Sequence, residues 1–265
     1  AGVVEATAAG EAGPPDIPVP RFTAGDRLML GPFEVEAIAV AHSIPEAVSL
    51  AITTPAGTVI HTGDWKVDET PVLGWATDFD RFRELGDKGV RALISDSTNV
   101  LRDGSSPSER DVAETLKDLV AKAPGRVGVT TFASNVGRVR AVAEAALAAE
   151  RNVVVLGRSM RRAIDVAREL GYLDGLPEFL DQDAYGYLPR DKVVSLLTGS
   201  QGESRAALAR IAEGDHRHIA MSAGDWMIFS SRTIPGNEKA VNAIQNALAK
   251  TGVRIITDRD GLVHV

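Results

Sequence analysis

RVGVTTFASNVGRVRAVAEAALAAERNVVVLGRSMRRAIDVAREL, residues 126–170, decides the fold. It reads as strand (RVGVTTF), helix (SNVGRVRAVAEAALAAE), strand (NVVVLG) and helix (SMRRAIDVAREL, ending at Gly171) in succession. The strands are short apolar runs rich in β-branched valine, and the helices space their apolar residues three and four apart. Strands alternating with helices predict a mostly parallel sheet covered on both faces. Upstream, RALISDS (91–97) is a strand and SPSERDVAETLKDLVAKA (106–123) an amphipathic helix opened by Ser and Pro. Downstream, KVVSLLTG (192–199), WMIFSS (226–231) and VRIITD (253–258) read as strands. ESRAALARIAEG (203–214) and NEKAVNAIQNALAKTG (237–252) read as the helices between them.

Before Asp80 the texture is different. PFEVEAIAVAH (32–42) alternates apolar and polar residues, AVSLAITT (47–54) follows, and a TPAG turn precedes TVIHTGD (58–64). This predicts a meander of short strands with little room for helices. The chain therefore reads as a β-rich piece joined to an α/β piece, with the joint near Asp96. Residues 1–20, rich in Ala, Gly and Pro, are expected to be loop. They lack a basic end followed by an apolar stretch, so they do not read as a secretory signal.

The composition is that of a globular protein: 265 residues, 44% hydrophobic and 25% charged, enough for one large domain or two smaller ones. There is no cysteine, which excludes disulfides, cysteine-ligated zinc and thiol catalysis in this sequence and suits a reducing compartment. No apolar run reaches the ~18 residues of a membrane span, so a cytoplasmic protein is expected. A net charge of −7 argues against non-specific coating of nucleic acid, but leaves room for phosphate binding confined to one cleft.

In open α/β sheets ligands bind beyond the carboxyl ends of the strands. Five such ends run into polar residues here: Asp96–Asn99, Ser134-Asn135, Gly157-Arg158-Ser159, Thr198–Glu203 and Arg232-Thr233. Any one of them is explained by helix capping or a turn. Together they favour a phosphate-lined crevice. In the first segment His42 and Asp64 end neighbouring strands and are suitable ligands for a first-row metal. Two ligands do not make a site, however, and His61, His216 and His218 offer no convincing partner.

The strings AHSIPEA (41–47), HTGDWK (61–66), SDSTN (95–99), TFASN (131–135), LGRSM (156–160), LTGSQGE (197–203), SSRTIPGNEKAV (230–241) and VHV (263–265) resemble bacterial ribonuclease J in order and spacing. The resemblance covers nearly everything from Asp26 onward. It implies an α/β chain in which part of a metallo-β-lactamase αββα sandwich (1–96) joins a β-CASP domain (97–262), with 263–265 starting the return to the first domain. His42 and Asp64 would be zinc ligands, Asp64 bridging two ions. Asp64, Asp96 and His264 would belong to the catalytic machinery, and Ser134, Asn135 and His264 would hold RNA phosphate. The implied activity is two-metal hydrolysis of RNA phosphodiesters, as a 5′→3′ exonuclease favouring a 5′-monophosphate and as an endonuclease, in ribosomal RNA maturation and messenger RNA decay. The complete protein would be a homo-oligomer.

This sequence departs from the family pattern in two places. The His-x-His-x-Asp-His motif, expected before His42, is absent, and the family's VHVSGH string stops at VHV. A piece of a longer protein is therefore expected, one that alone holds zinc weakly or not at all and is inactive. Two other readings stand beside the hydrolase. One is a non-catalytic RNA- or phosphate-binding β-CASP fragment. The other is a Rossmann-like nucleotide or sugar-phosphate protein, weakened because GRSM after NVVVL lacks the G-x-G-x-x-G fingerprint.

Overall fold

A computed structural model of the chain describes residues 21–101 and 103–265. The stretch expected to be an N-terminal loop, residues 1–20, lies outside them. The chain divides into two compact units, one up to Ser108 and one from Glu109 to Val265. Residues between Asp96, where the sequence changes texture, and Ser108 go with the first unit.

The first unit is a five-stranded sheet in sequential order: β1 (Arg27–Leu30), β2 (Phe33–Ala39), β3 (Val48–Thr54), β4 (Gly57–His61) and β5 (Val90–Ile94). The first four pair antiparallel as a meander, and β5 returns parallel to β4 after helix α1 (Phe79–Lys88). A parallel return needs a crossover, and α1 supplies it. Its small core joins Ile38, Ala51 and Ile60 on the sheet to Leu85 of the helix. The β3–β4 turn closes at Gly57, which has φ of +124°; a Cβ there would come within 2.4 Å of Arg91 Cγ. On the outer strands Met29, Leu30, Leu93 and Ile94 are more than half exposed.

An arginine fork fastens α1 to the sheet. Arg81 donates from Nε and Nη2 to the two carboxylate oxygens of Glu36 on β2, at 2.6 and 2.7 Å. The Arg81 guanidinium, outweighing burial and helped by Arg27, holds the Glu36 carboxyl below the usual glutamate range. A depressed folded-state pKa means the unfolded chain takes up the proton more readily. The first unit should therefore lose stability as pH falls below the ordinary glutamate value of roughly 4.3. Urea unfolding at neutral and acidic pH checks this: the advantage of wild type over Glu36→Gln should shrink on acidification, and a constant difference would sink the idea.

The second unit is built on a parallel sheet of β6 (Val127–Thr130), β7 (Asn152–Leu156), β8 (Val193–Leu197), β9 (Trp226–Phe229) and β10 (Arg254–Ile256). The spatial order is β10-β9-β6-β8-β7, and every pairing is parallel. The α/β architecture with a parallel sheet is the one the alternation implies. Helices α2 (Glu109–Lys122), α3 (Val136–Ala148), α4 (Arg158–Glu169), α5 (Ala207–Ala212) and α6 (Glu238–Lys250) cover it. Successive side chains on a strand face opposite ways, so each strand feeds two cores. Val153, Val155, Val194 and Leu196 pack with α2 and α3, whereas Val154, Leu156, Val193 and Leu197 pack with α5 and α6. Strands β6, β8 and β9 are buried along their whole length, which is why they read as unbroken apolar runs.

One buried cation ties the ends of this unit together. Arg138, on α3, is fully buried and donates from Nη2 to Glu109 Oε2 at 2.7 Å. Its Nη1 donates to Val263 O at 2.8 Å and to Ser230 O at 3.0 Å. Ser230 Oγ in turn donates to Val263 O at 2.6 Å.

Candidate functional site

In the first unit the structure brings His42 and Asp64 together. Lys66 N–H donates to Ala41 O, and Thr77 accepts from Ala41 N–H while donating to Lys66 O, so the segments after β2 and β4 lie side by side. His42 Nε2 then stands 3.9 Å from Asp64 Oδ2, with Ser43 Oγ 3.4 Å from the same nitrogen. Asp96 ends β5 at the same edge, where its N–H donates to Thr62 Oγ1 at 3.0 Å. Its carboxylate accepts from Thr98 Oγ1 at 2.6 Å and Thr98 N at 2.8 Å. The Thr98 hydroxyl, followed by its N–H, holds the Asp96 carboxyl below the usual range, with a smaller contribution from the nearby His42.

An imidazole nitrogen and a carboxylate oxygen at this separation are donors of the type zinc takes. Their number falls short: among the described residues no group of three or more His, Cys, Asp or Glu is placed to hold a metal. The pair amounts to half of a four-ligand set. His61 turns its Nδ1 to accept from Gly63 N–H. His216 and His218 belong to the second unit, where His218 pairs with Asp183.

The second unit carries a crevice of about 540 Å³ beyond the carboxyl ends of β6, β7 and β8. Its walls include Thr131, Arg158, Ser159, Thr198, Ser200 and Arg205. Two of the five polar strand ends picked out in the sequence, Gly157–Ser159 and Thr198–Glu203, thus converge, and the segment Thr131–Ala133 after β6 completes the wall in place of Ser134-Asn135. Thr131 is buried, and its hydroxyl has no hydrogen-bond partner among the described residues. Gly157, with φ of +98°, opens α4 without a side-chain cap, so that helix presents bare N–H groups. Backbone donors at a helix N-terminus, together with exposed Arg158 and Arg205, favour an anion. Glu203 also lines the wall, and its carboxylate accepts from Gln201 N–H.

Ser134, Asn135 and His264 do not line this crevice. Asn135 is buried, and its Oδ1 caps α3 by accepting from Arg138 N–H at 2.9 Å. Ser134 is exposed beside it. His264 follows Val263, whose carbonyl accepts from the Arg138 side chain. The sequence reading missed the role of Gln201. This buried side chain donates to Arg232 O at 2.8 Å and accepts from Ile234 N–H at 2.8 Å, tying the loop after β8 to the loop after β9. A polar residue between two glycines at a strand end was the available signal.

A family model described as "Ribonuclease J, beta-CASP domain" matches residues 124–248, the heart of the second unit. The ribonuclease J of Sinorhizobium meliloti is 59% identical over all of this chain and 47% of its own length. The chain belongs to the ribonuclease J family. The ribonuclease J of Mycolicibacterium smegmatis is 48% identical over 89% of this chain and 42% of its own length. The chain thus spans about half the length, or less, of these curated ribonuclease J relatives. A solved structure described as a protein of unknown function from Enterococcus faecalis V583 covers 92% of this chain and 55% of itself, with a TM-score of 0.63 and 14% identity. That likeness concerns the fold alone. The β-CASP match contains the crevice, Arg138 and Gln201, whereas His42, Asp64 and Asp96 precede it.

Proposed function

We propose that this chain is the RNA-holding part of a metal-dependent ribonuclease of the ribonuclease J type. The supporting observation is the crevice: a buried unpartnered threonine hydroxyl, uncapped helix N–H groups and two arginines converge beyond three parallel strand ends. Such donors hold phosphodiester oxygens without reading bases. In this reading residues up to about Asp96 belong to a metallo-β-lactamase domain, 97–262 to the β-CASP domain, and 263–265 lead back. The substrate is RNA, with a preference for a 5′-monophosphate end held near Ser134, Asn135 and His264. The complete protein would act in the cytoplasm as a homo-oligomer, as a 5′→3′ exonuclease and endonuclease in ribosomal RNA maturation and messenger RNA decay. Among the described residues no helix is long and apolar enough to cross a membrane.

Each part of the site would have its own task. The crevice binds and orients the strand, which lowers the entropic part of the barrier. Asp96, ionised and fixed by Thr98, keeps a negative charge beside His42 and supports that imidazole. His42 and Asp64 would hold zinc together with donors from elsewhere in the complete protein, and zinc supplies Lewis-acid polarisation of a phosphate. The two-donor set favours binding without cleavage for this chain by itself.

Fluorescence anisotropy with a labelled 5′-phosphorylated oligoribonucleotide tests the reading. Arg158→Ala should weaken binding about tenfold and reduce the slope of log affinity against log salt by about 0.7, the loss of one phosphate contact to a single strand. Unchanged affinity and slope would count against the crevice. Incubating the chain with RNA and zinc and resolving the products on a gel separates binding from hydrolysis.

A further inference from the structure

The same edge of the parallel sheet carries a second cavity, of about 330 Å³, beyond the ends of β9 and β10. Its lining differs in chemistry from that of the crevice. Arg232 and Arg259 are balanced by Glu238 and Asp258, so there is no net positive charge to draw a bare phosphate. What distinguishes the cavity is a pair of side-chain amides one helical turn apart on α6, Asn242 and Gln245. Among the described residues neither amide makes a hydrogen bond, and neither does the Arg259 guanidinium. Thr233 and Thr257 add hydroxyls. A neutral group rich in both donors and acceptors fits such walls. The volume lies at the lower end of small-ligand pockets, about 300–1,000 Å³, and suits one nucleoside.

Its position matters as much as its lining. In the strand order β10-β9-β6-β8-β7, the crevice sits over β6, β8 and β7 and the cavity over β10 and β9. Two to three strand spacings separate their centres, roughly 10–15 Å, a span that a few linked nucleotides cover. The link between them is Gln201, which joins the loop of the crevice to the loop carrying Arg232 and Thr233.

We propose that the β9–β10 cavity is a second subsite for the same polynucleotide, taking the base and ribose of a nucleotide a few positions from the phosphates in the crevice. Asn242 and Gln245 meet the base edge, and adenine is the base that side-chain amides pair with through its N6 and N7 atoms. Single-stranded RNA offers its bases unstacked for such contacts. This inference rests on the crevice reading, and its test keeps the two apart.

The probes are 5′-phosphorylated oligoadenylates of two and six residues, titrated against the whole chain. The Asn242→Ala/Gln245→Ala double substitution removes two amides that make no hydrogen bond among the described residues, and a thermal melt checks that folding is unaffected. It should weaken the six-residue probe about tenfold and leave the two-residue probe unchanged, whereas Arg158→Ala weakens both. A double variant that binds the longer probe as wild type does, or loses both probes equally, overturns the second subsite while the crevice stands. Failure of either probe to bind, or indifference of both to Arg158→Ala, overturns the crevice and the subsite with it.

Discussion

Arg138→Ala is expected to lower the stability of the second unit by about 3–5 kcal/mol, the usual cost of breaking a buried ion pair from one side. The substitution leaves Glu109, whose side chain is 9% exposed, without its 2.7 Å partner. It also removes a donor to the carbonyls of Ser230 and Val263, two buried residues. For a unit of this size each kcal/mol moves the melting temperature by roughly 2–4 °C, so calorimetry should show a clear drop. Glu109→Leu/Arg138→Met removes both charges and should recover much of the loss, because apolar replacement of a whole buried pair is often neutral. If the single variant melts with wild type, the pair has no structural weight. If the double variant is no better than the single, the carbonyl contacts matter more than the charges.

The second large effect is on binding. Gln201→Ala should weaken RNA binding roughly thirtyfold while lowering stability by only about 2 kcal/mol. The side chain spans two loops that share no ladder: it donates to Arg232 O and accepts from Ile234 N–H, with Asn237 Nδ2 a further 3.4 Å contact. Without it the loop after β8 loses its fixed position, and the crevice walls at Thr198, Ser200 and Arg205 move with it. A Cβ on neighbouring Gly202, at φ of +81°, would fall 2.6 Å from Ala240 Cβ. Gln201→Glu keeps the shape and the acceptor but loses the donor to Arg232 O, so an intermediate affinity is expected. Affinity that tracks stability alone across the three proteins would reduce Gln201 to a packing residue.

What the sequence made legible follows from where the physics is local. Buried parallel strands show themselves as apolar runs, and VVSLL and WMIF, buried throughout, were readable without any partner in view. His42 and Asp64 were readable as strand ends but not as ends of neighbouring strands: β3 lies between β2 and β4, and the two segments meet through the Ala41–Lys66 bridge beyond it. Helix α1 was not read: FDRFRELGDK buries only Leu85 fully, and its fastening is the Arg81–Glu36 fork between residues 45 positions apart. Strand β1 is four residues long with an exposed outer face. Helix α5 occupies 207–212 rather than 203–214, because Gly199 and Gly202 at positive φ keep the preceding segment in turns. The Arg138 cluster was beyond reach, since its partners lie 29, 92 and 125 residues away. Nothing in GRVR marks that arginine as the buried one.

That cluster has a topological consequence. Glu109 and Val263, 154 residues apart in the chain, meet across the width of a single guanidinium. A segment whose two ends are pinned side by side forms a nearly closed ring, and closing the remaining gap costs little loop entropy. Joining Val265 to Glu109 by a short linker and opening the ring at the exposed turn after Gly214 should leave the parallel sheet intact. A circularly permuted second unit of this kind should fold by itself, because its core is its own and both of its ends meet at one guanidinium.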